Sequence, residues 1–156
     1  VIHSTSKDNV LVFWSGHGLN KQLCWNDNDT GFTYNLAKET FEEMNEERAY
    51  RKSLWLVETC YSGSVLQACE GIPGILAITA ANANETSKAD IFNRDLGVWM
   101  SNRFTYTLRD EITKNASISL RELYYKLFID TVGSHVMLYN EDAYGNIIIN
   151  TFEEFL

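Results

Sequence analysis

The chain has 156 residues, 45% of them hydrophobic and 22% charged, with a single proline. This suits one folded domain over residues 1–156 and excludes a disordered, collagen-like or low-complexity chain. The net charge of -8 makes a phosphate backbone an unfavourable partner, so no nucleic acid is expected, and no apolar run approaches the roughly 20 residues of a membrane span.

The first apolar run is Val10 to Trp14, stopped by Ser15-Gly16-His17-Gly18. Five β-prone residues without alternation predict a strand buried on both faces. Residues 22–32 are polar and turn-rich and predict a short hairpin or loop. From Leu36 to about Arg51, Ala37, Phe41 and Met44 recur at helical spacing, with Asn35 as the expected N-cap. Ser53 to Thr59 predicts a second buried strand, which runs out at Cys60-Tyr61-Ser62-Gly63-Ser64 before a short helix over Val65 to Cys69. Ile75 to Ala80 predicts a third strand. Residues 82–97 have no apolar periodicity and predict a long functional loop. Val98 to about Lys114 predicts a helix, with Met100, Phe104, Leu108 and Ile112 on one stripe. Ser119-x-x-Glu122 is a capping-box signature ahead of Leu120, Leu123, Leu127 and Phe128. His135 to Tyr139 and Asn146 to Asn150 read as short strands.

Strands apolar on both faces, alternating with helices, predict a mostly parallel sheet flanked by helices on both faces. In such sheets the crevice that does chemistry lies beyond the carboxyl ends of the strands. His17 follows the first strand and Cys60 the second. If those strands are neighbours, a histidine and a thiol share one edge of the sheet.

A thiol needs a base or cation beside it to react as thiolate. His17 can be that base. Gly16 and Gly18 allow a sharp turn and bare the Gly18 amide, while the Cys60 amide is expected at the start of the short helix. Together they could hold the oxyanion of a tetrahedral intermediate. Cys24 and Cys69 have no such context and read as small buried hydrophobes. Three cysteines close no disulfide framework and no CxxC pair suggests zinc, so neither metal nor organic cofactor is expected. Glu58 inside an apolar strand needs either a cationic partner or a pocket to face, since an unpaired buried carboxylate is costly. His3 and His135 read as structural. Three Asn-x-Ser/Thr sequons, at Asn28, Asn84 and Asn115, weakly favour an extracytoplasmic, secreted or vacuolar/lysosomal location, although no basic and apolar leader segment follows Val1.

The pair "VLVFWSGHG" (residues 10–18) and "SLWLVETCYSGS" (residues 53–64) resembles the legumain family of cysteine peptidases in the caspase-haemoglobinase clan. The resemblance continues through "ITAANANETS" (78–87), "LGVWMS" (96–101), and "SHVMLYN" with "YGN" (134–146). It implies a caspase-like α/β sheet, His17 as catalytic histidine, Cys60 as nucleophile, and Gly18 and Cys60 as oxyanion amides. It further implies that Glu58 and Ser87 line a specificity pocket. Val98 stands where asparagine-specific members carry an aspartate, so the pocket is expected to be less acidic, with Asp95 three residues away as an alternative. Residues 97–108 also resemble the catalytic subunit of glycosylphosphatidylinositol transamidase. Family members carry two strands and a helix ahead of the histidine strand, which implies that a further N-terminal fragment of the same protein is a partner. The resemblance implies a cysteine endopeptidase acting on peptide or protein substrates. Its rivals are a transamidase or peptide ligase using the same dyad, and a silent binding scaffold.

Overall fold

The computed structural model describes residues 3–25 and 30–156, with the side chains of residues 90, 91, 93 and 98–101 outside the described set. The sequon at Asn28 lies outside the described residues. The central sheet has four strands: β1 (Asn9–Ser15), β5 (Lys52–Glu58), β6 (Ile75–Thr79) and β9 (Met137–Tyr139), in the order β1-β5-β6-β9. The first three are parallel and β9 runs antiparallel on the far side of β6.

The uninterrupted apolar character of β5 and β6 follows from helices on both faces. Leu54 and Leu56 of β5 and Leu76 and Ile78 of β6 point to one side, against α3 (Arg103–Lys114) and α4 (Leu120–Asp130). Trp55 and Val57, with Ile75 and Ala77, point to the other, against α1 (Tyr34–Glu46) and α2 (Gly63–Leu66). The fold is therefore the expected α/β arrangement, with a mostly parallel sheet between two helical layers.

Between β1 and α1 the chain forms a three-stranded antiparallel meander of β2 (Gly18–Leu19), β3 (Gln22–Cys24) and β4 (Gly31–Thr33), a fuller version of the expected hairpin. Its Leu23 is wholly buried. Phe32 stacks on Trp55 at 5.9 Å between centroids, and Phe41 meets the same indole edge-on at 5.0 Å. Such aromatic pairs stabilise beyond their buried area, and here they seat the meander that follows His17 on the main core.

Several boundaries differ from expectation. The N-cap of α1 is Thr33, whose hydroxyl accepts the Leu36 amide hydrogen at 3.3 Å. Thr33 is the last extended residue of β4, whereas Asn35 already lies in the helix and cannot cap it. The helix stops at Glu46 because Arg48 turns left-handed at φ 51° and Ala49 donates back to the Met44 carbonyl. The short helix begins at Gly63, earlier than expected, and tightens into a 3-10 turn over Gln67–Cys69. Residues 82–97 are not all loop. They contain β7 (Ala89–Asn93), paired with β8 (Val98–Asn102) in a bulged hairpin. The helix expected from Val98 consequently starts at Arg103, where the Asn102 side chain accepts the Thr105 amide hydrogen at 3.1 Å. After β9, a short α5 (Glu141–Tyr144) intervenes. Residues 146–150 form a turn rather than a strand, closed by the Ile148 amide on the Asn146 side chain, with Ile149 71% exposed. The chain closes with a 3-10 turn, Phe152–Phe155. Among the described residues, no helix is long and apolar enough to cross a membrane.

Candidate active site

The strands that end at His17 and Cys60 are direct neighbours. β1 and β5 pair in register from Asn9↔Lys52 to Ser15↔Glu58. His17 and Cys60 each lie two residues beyond that last pair, on one edge of the sheet. The Gly16 amide carries the ladder one step further, donating to the Glu58 carbonyl at 3.2 Å.

The two turns are in contact just past this point. A Cβ placed on Gly18 would stand 2.2 Å from the Cys60 carbonyl oxygen and 2.7 Å from Thr59 Oγ1. No side chain fits there, so glycine is required by close approach. The Cys24 amide donates to the His17 carbonyl at 3.0 Å. That bond makes Gly18↔Leu23 the non-hydrogen-bonded pair of the β2–β3 ladder, which turns the Gly18 N–H away from β3. A second tie runs from the β2–β3 turn: the Lys21 amide donates to Ser64 Oγ at 2.7 Å, and Ser64 Oγ donates to the Tyr61 carbonyl at 2.6 Å.

Cys60 is partly exposed and unpaired by any disulfide. Its Sγ donates to the Ser87 carbonyl at 3.7 Å, which brings Ser87 beside the thiol. Tyr61 takes a left-handed backbone at φ 55°, a strained conformation for a bulky side chain. Its amide donates to the Glu85 carbonyl at 2.8 Å. The short helix begins three residues beyond Cys60, not at it. The expectation that a helix start flanks the Cys60 amide is therefore corrected: the strained Tyr61 turn separates the two.

Glu58 is buried, with 3% of its surface exposed. The sequence left it a choice between a cation and a pocket, but its partners are hydroxyls. Thr105 at the start of α3 donates to Oε2, and Ser15 on β1 hydrogen-bonds the same carboxyl. Burial pushes the carboxyl above its ordinary range and the two hydroxyls reverse only part of that shift. Neither hydroxyl was legible as a partner, since nothing in the spacing brings Thr105 to a strand 47 positions earlier. The side chain of Val98, the remaining expected pocket residue, lies outside the described residues. Cys69 is wholly buried, and burial raises its thiol to about 12. Among the described residues, no group of three or more His, Cys, Asp or Glu is placed to hold a metal ion.

Glu85, not singled out in the sequence, and His135, read there as structural, stand at this edge. The Glu85 carboxylate accepts the amide hydrogens of Asn82 at 2.9 Å and His135 at 2.7 Å, and its other oxygen lies 2.8 Å from His135 Nδ1. Burial pushes Glu85 up, but these donors together outweigh it and hold the carboxyl below the usual range.

Comparison with known proteins adds three findings. The profile of the Peptidase C13 family matches residues 1–154. GPI-anchor transamidase from Saccharomyces cerevisiae is 26% identical over 82% of this chain and 31% of its own length, and the Homo sapiens protein of the same name is 26% identical over 96% and 39%. Legumain from Rattus norvegicus is 29% identical over 98% of this chain and 35% of its own length. The chain thus spans about a third of the length of the curated relatives it matches.

Proposed function

The chain belongs to the peptidase C13 family, and from that premise we propose that it cleaves peptide bonds as a cysteine endopeptidase, with Cys60 as nucleophile and His17 as acid and base. The carrying observation is the registered β1–β5 pair, whose two end turns meet at Gly18 against the Cys60 carbonyl. His17 takes the proton of the Cys60 thiol as Sγ attacks the substrate carbonyl carbon, and negative charge collects on the carbonyl oxygen. The Gly18 and Cys60 amides are the donors proposed to stabilise that charge. The C–N bond then breaks, His17 transfers a proton to the leaving amine, and a thioester remains on Cys60. Water, deprotonated by His17, releases the acid and restores the thiol.

Glu58, Ser87 and Val98 are the residues proposed for the specificity pocket. Ser87 adjoins the thiol, and Glu58 lies beneath the same edge on its two hydroxyls. With Val98 in place of a second carboxylate, selectivity for asparagine before the cut is proposed to be relaxed, because large selectivity requires polar pairing. A peptide library varied at that position, run on wild type and Val98→Asp, tests this. Strict asparagine preference in wild type, unchanged in the variant, would overturn it.

The dyad itself is tested by His17→Ala and Cys60→Ser. Each is expected to abolish turnover of any peptide the wild type cleaves while leaving the circular-dichroism spectrum unchanged. Substantial activity in either variant would remove the dyad.

A second reading has its own support: GPI-anchor transamidases match this chain at identities close to that of legumain. In that reading an amine takes the place of water at the thioester. A short peptide with a free amino terminus, added during turnover at a concentration far below that of water, separates the two, since a transamidase accumulates the ligated product at the expense of the free acid and a hydrolase releases the acid.

A further inference from the structure

On one side the turn that carries the thiol is held by its own strand, by the Lys21 amide donating to Ser64 and by the Gly63 amide donating to the Ala81 carbonyl. From the other side it is held by residues 82–88. The Glu85 carbonyl takes the amide hydrogen of the strained Tyr61, and the Ser87 carbonyl takes the hydrogen of Cys60 Sγ. Both contacts need this loop to stay in place beyond the end of β6. Three donors converge on the Glu85 carboxylate: Asn82 N closes the loop on itself, while His135 N and Nδ1 tie it to the segment entering β9. The Ser134 hydroxyl, donating to the Ala80 carbonyl at 2.7 Å, secures that segment to the end of β6. Lys88 packs its Cγ against Gly133, so the contact continues past the carboxylate.

We infer that Glu85 and His135 are positioning residues for Cys60, a carboxylate–imidazole clasp that fixes residues 82–88 against the nucleophile turn; the inference rests on the cysteine-peptidase reading above. Neither side chain touches the reacting atoms. Their contribution reaches the thiol through two backbone carbonyls. The two backbone donors carry most of the hold, because charge-assisted bonds to a carboxylate exceed neutral ones. The imidazole is 72% exposed, and an exposed pair contributes little, so its removal matters less than removal of the carboxylate.

The test measures kcat, KM and the rate of Cys60 alkylation by iodoacetamide in Glu85→Ala, Glu85→Gln, His135→Ala and the double alanine variant. Glu85→Ala is expected to lower kcat and the alkylation rate by about tenfold, the loss of hydrogen bonds to a charged group, with KM within about twofold. Glu85→Gln retains an oxygen for the two amides and recovers most of that loss. His135→Ala falls between wild type and Glu85→Ala, and the double variant is no worse than Glu85→Ala. If Glu85→Ala fails to fold, Glu85→Gln and His135→Ala decide. Wild-type kcat and alkylation in folded His135→Ala, or glutamine as damaging as alanine, overturns the clasp. His17→Ala separates this from the parent reading. If that variant slows neither rate, the dyad is wrong; if it slows both while the Glu85 and His135 variants slow neither, only the clasp is wrong.

Discussion

Gly18 is where the turn carrying His17 meets the turn carrying Cys60. Its Cα lies so close to Cys60 that a methyl would overlap a backbone oxygen at 2.2 Å. Gly18→Ala is expected to push the turns apart by a fraction of an ångström and reduce kcat/KM by about a hundredfold, the usual penalty for misplaced reacting groups. The loss should fall on activity far more than on melting temperature, which calorimetry beside the kinetics would show. The three thiols should also separate. Cys69 is wholly buried and its thiol is raised to about 12, so iodoacetamide at pH 8 should leave it unmodified until denaturant is added, as peptide mapping would reveal. At this scale His17 and Cys60 were legible because a strand end is a place in the fold as well as in the sequence. Glu58 was legible as an anomaly, but its hydroxyl partners were not, since Thr105 comes from a helix remote in the chain.

Among elements, the helix starts were clearest where a side chain closes the first turn. Ser119 accepts the Glu122 amide hydrogen at 3.1 Å, as the capping signature predicts. Ser119→Ala is expected to cost about 1 kcal/mol of stability, measurable by urea denaturation with an unchanged slope. The same pattern at Thr151-x-x-Glu154 forms a complete reciprocal box, although it opens only a 3-10 turn and carries no apolar periodicity to draw attention. The β7–β8 hairpin was illegible for a different reason. Its strands are five residues each and bulged, too short and irregular for a period of two to emerge, and Met100 happens to continue the α3 stripe backward.

For the molecule as a whole, the buried carboxyl of Glu58 sets one part of the pH response. Its folded pKa is raised, chiefly by burial, so the folded state holds this proton more tightly than the unfolded chain. Its contribution therefore favours folding in acid and declines as pH rises from the ordinary glutamate range through the raised value. Glu58→Gln should raise the melting temperature at pH 7, and the gain should vanish below the ordinary glutamate range, where both side chains are neutral. Glu85 and Glu154 act in the opposite sense. Burial raises both, but hydrogen-bond donors, joined at Glu154 by the Arg51 charge, leave them lowered. Their contributions are present above the ordinary range and lost as pH falls through their lowered values.

The seven-rung match between β1 and β5 has a consequence for how this sequence can change. Inserting one residue within either strand would leave a sheet still able to pair, but every side chain beyond the insertion would swap faces. His17 would then arrive one step out of phase with Cys60, about 3.3 Å along the strand. The length of these two strands is therefore far less tolerant of change than their composition. A hydrophobic exchange at Val12 should be survivable, while a single inserted alanine beside it should silence the protein without unfolding it.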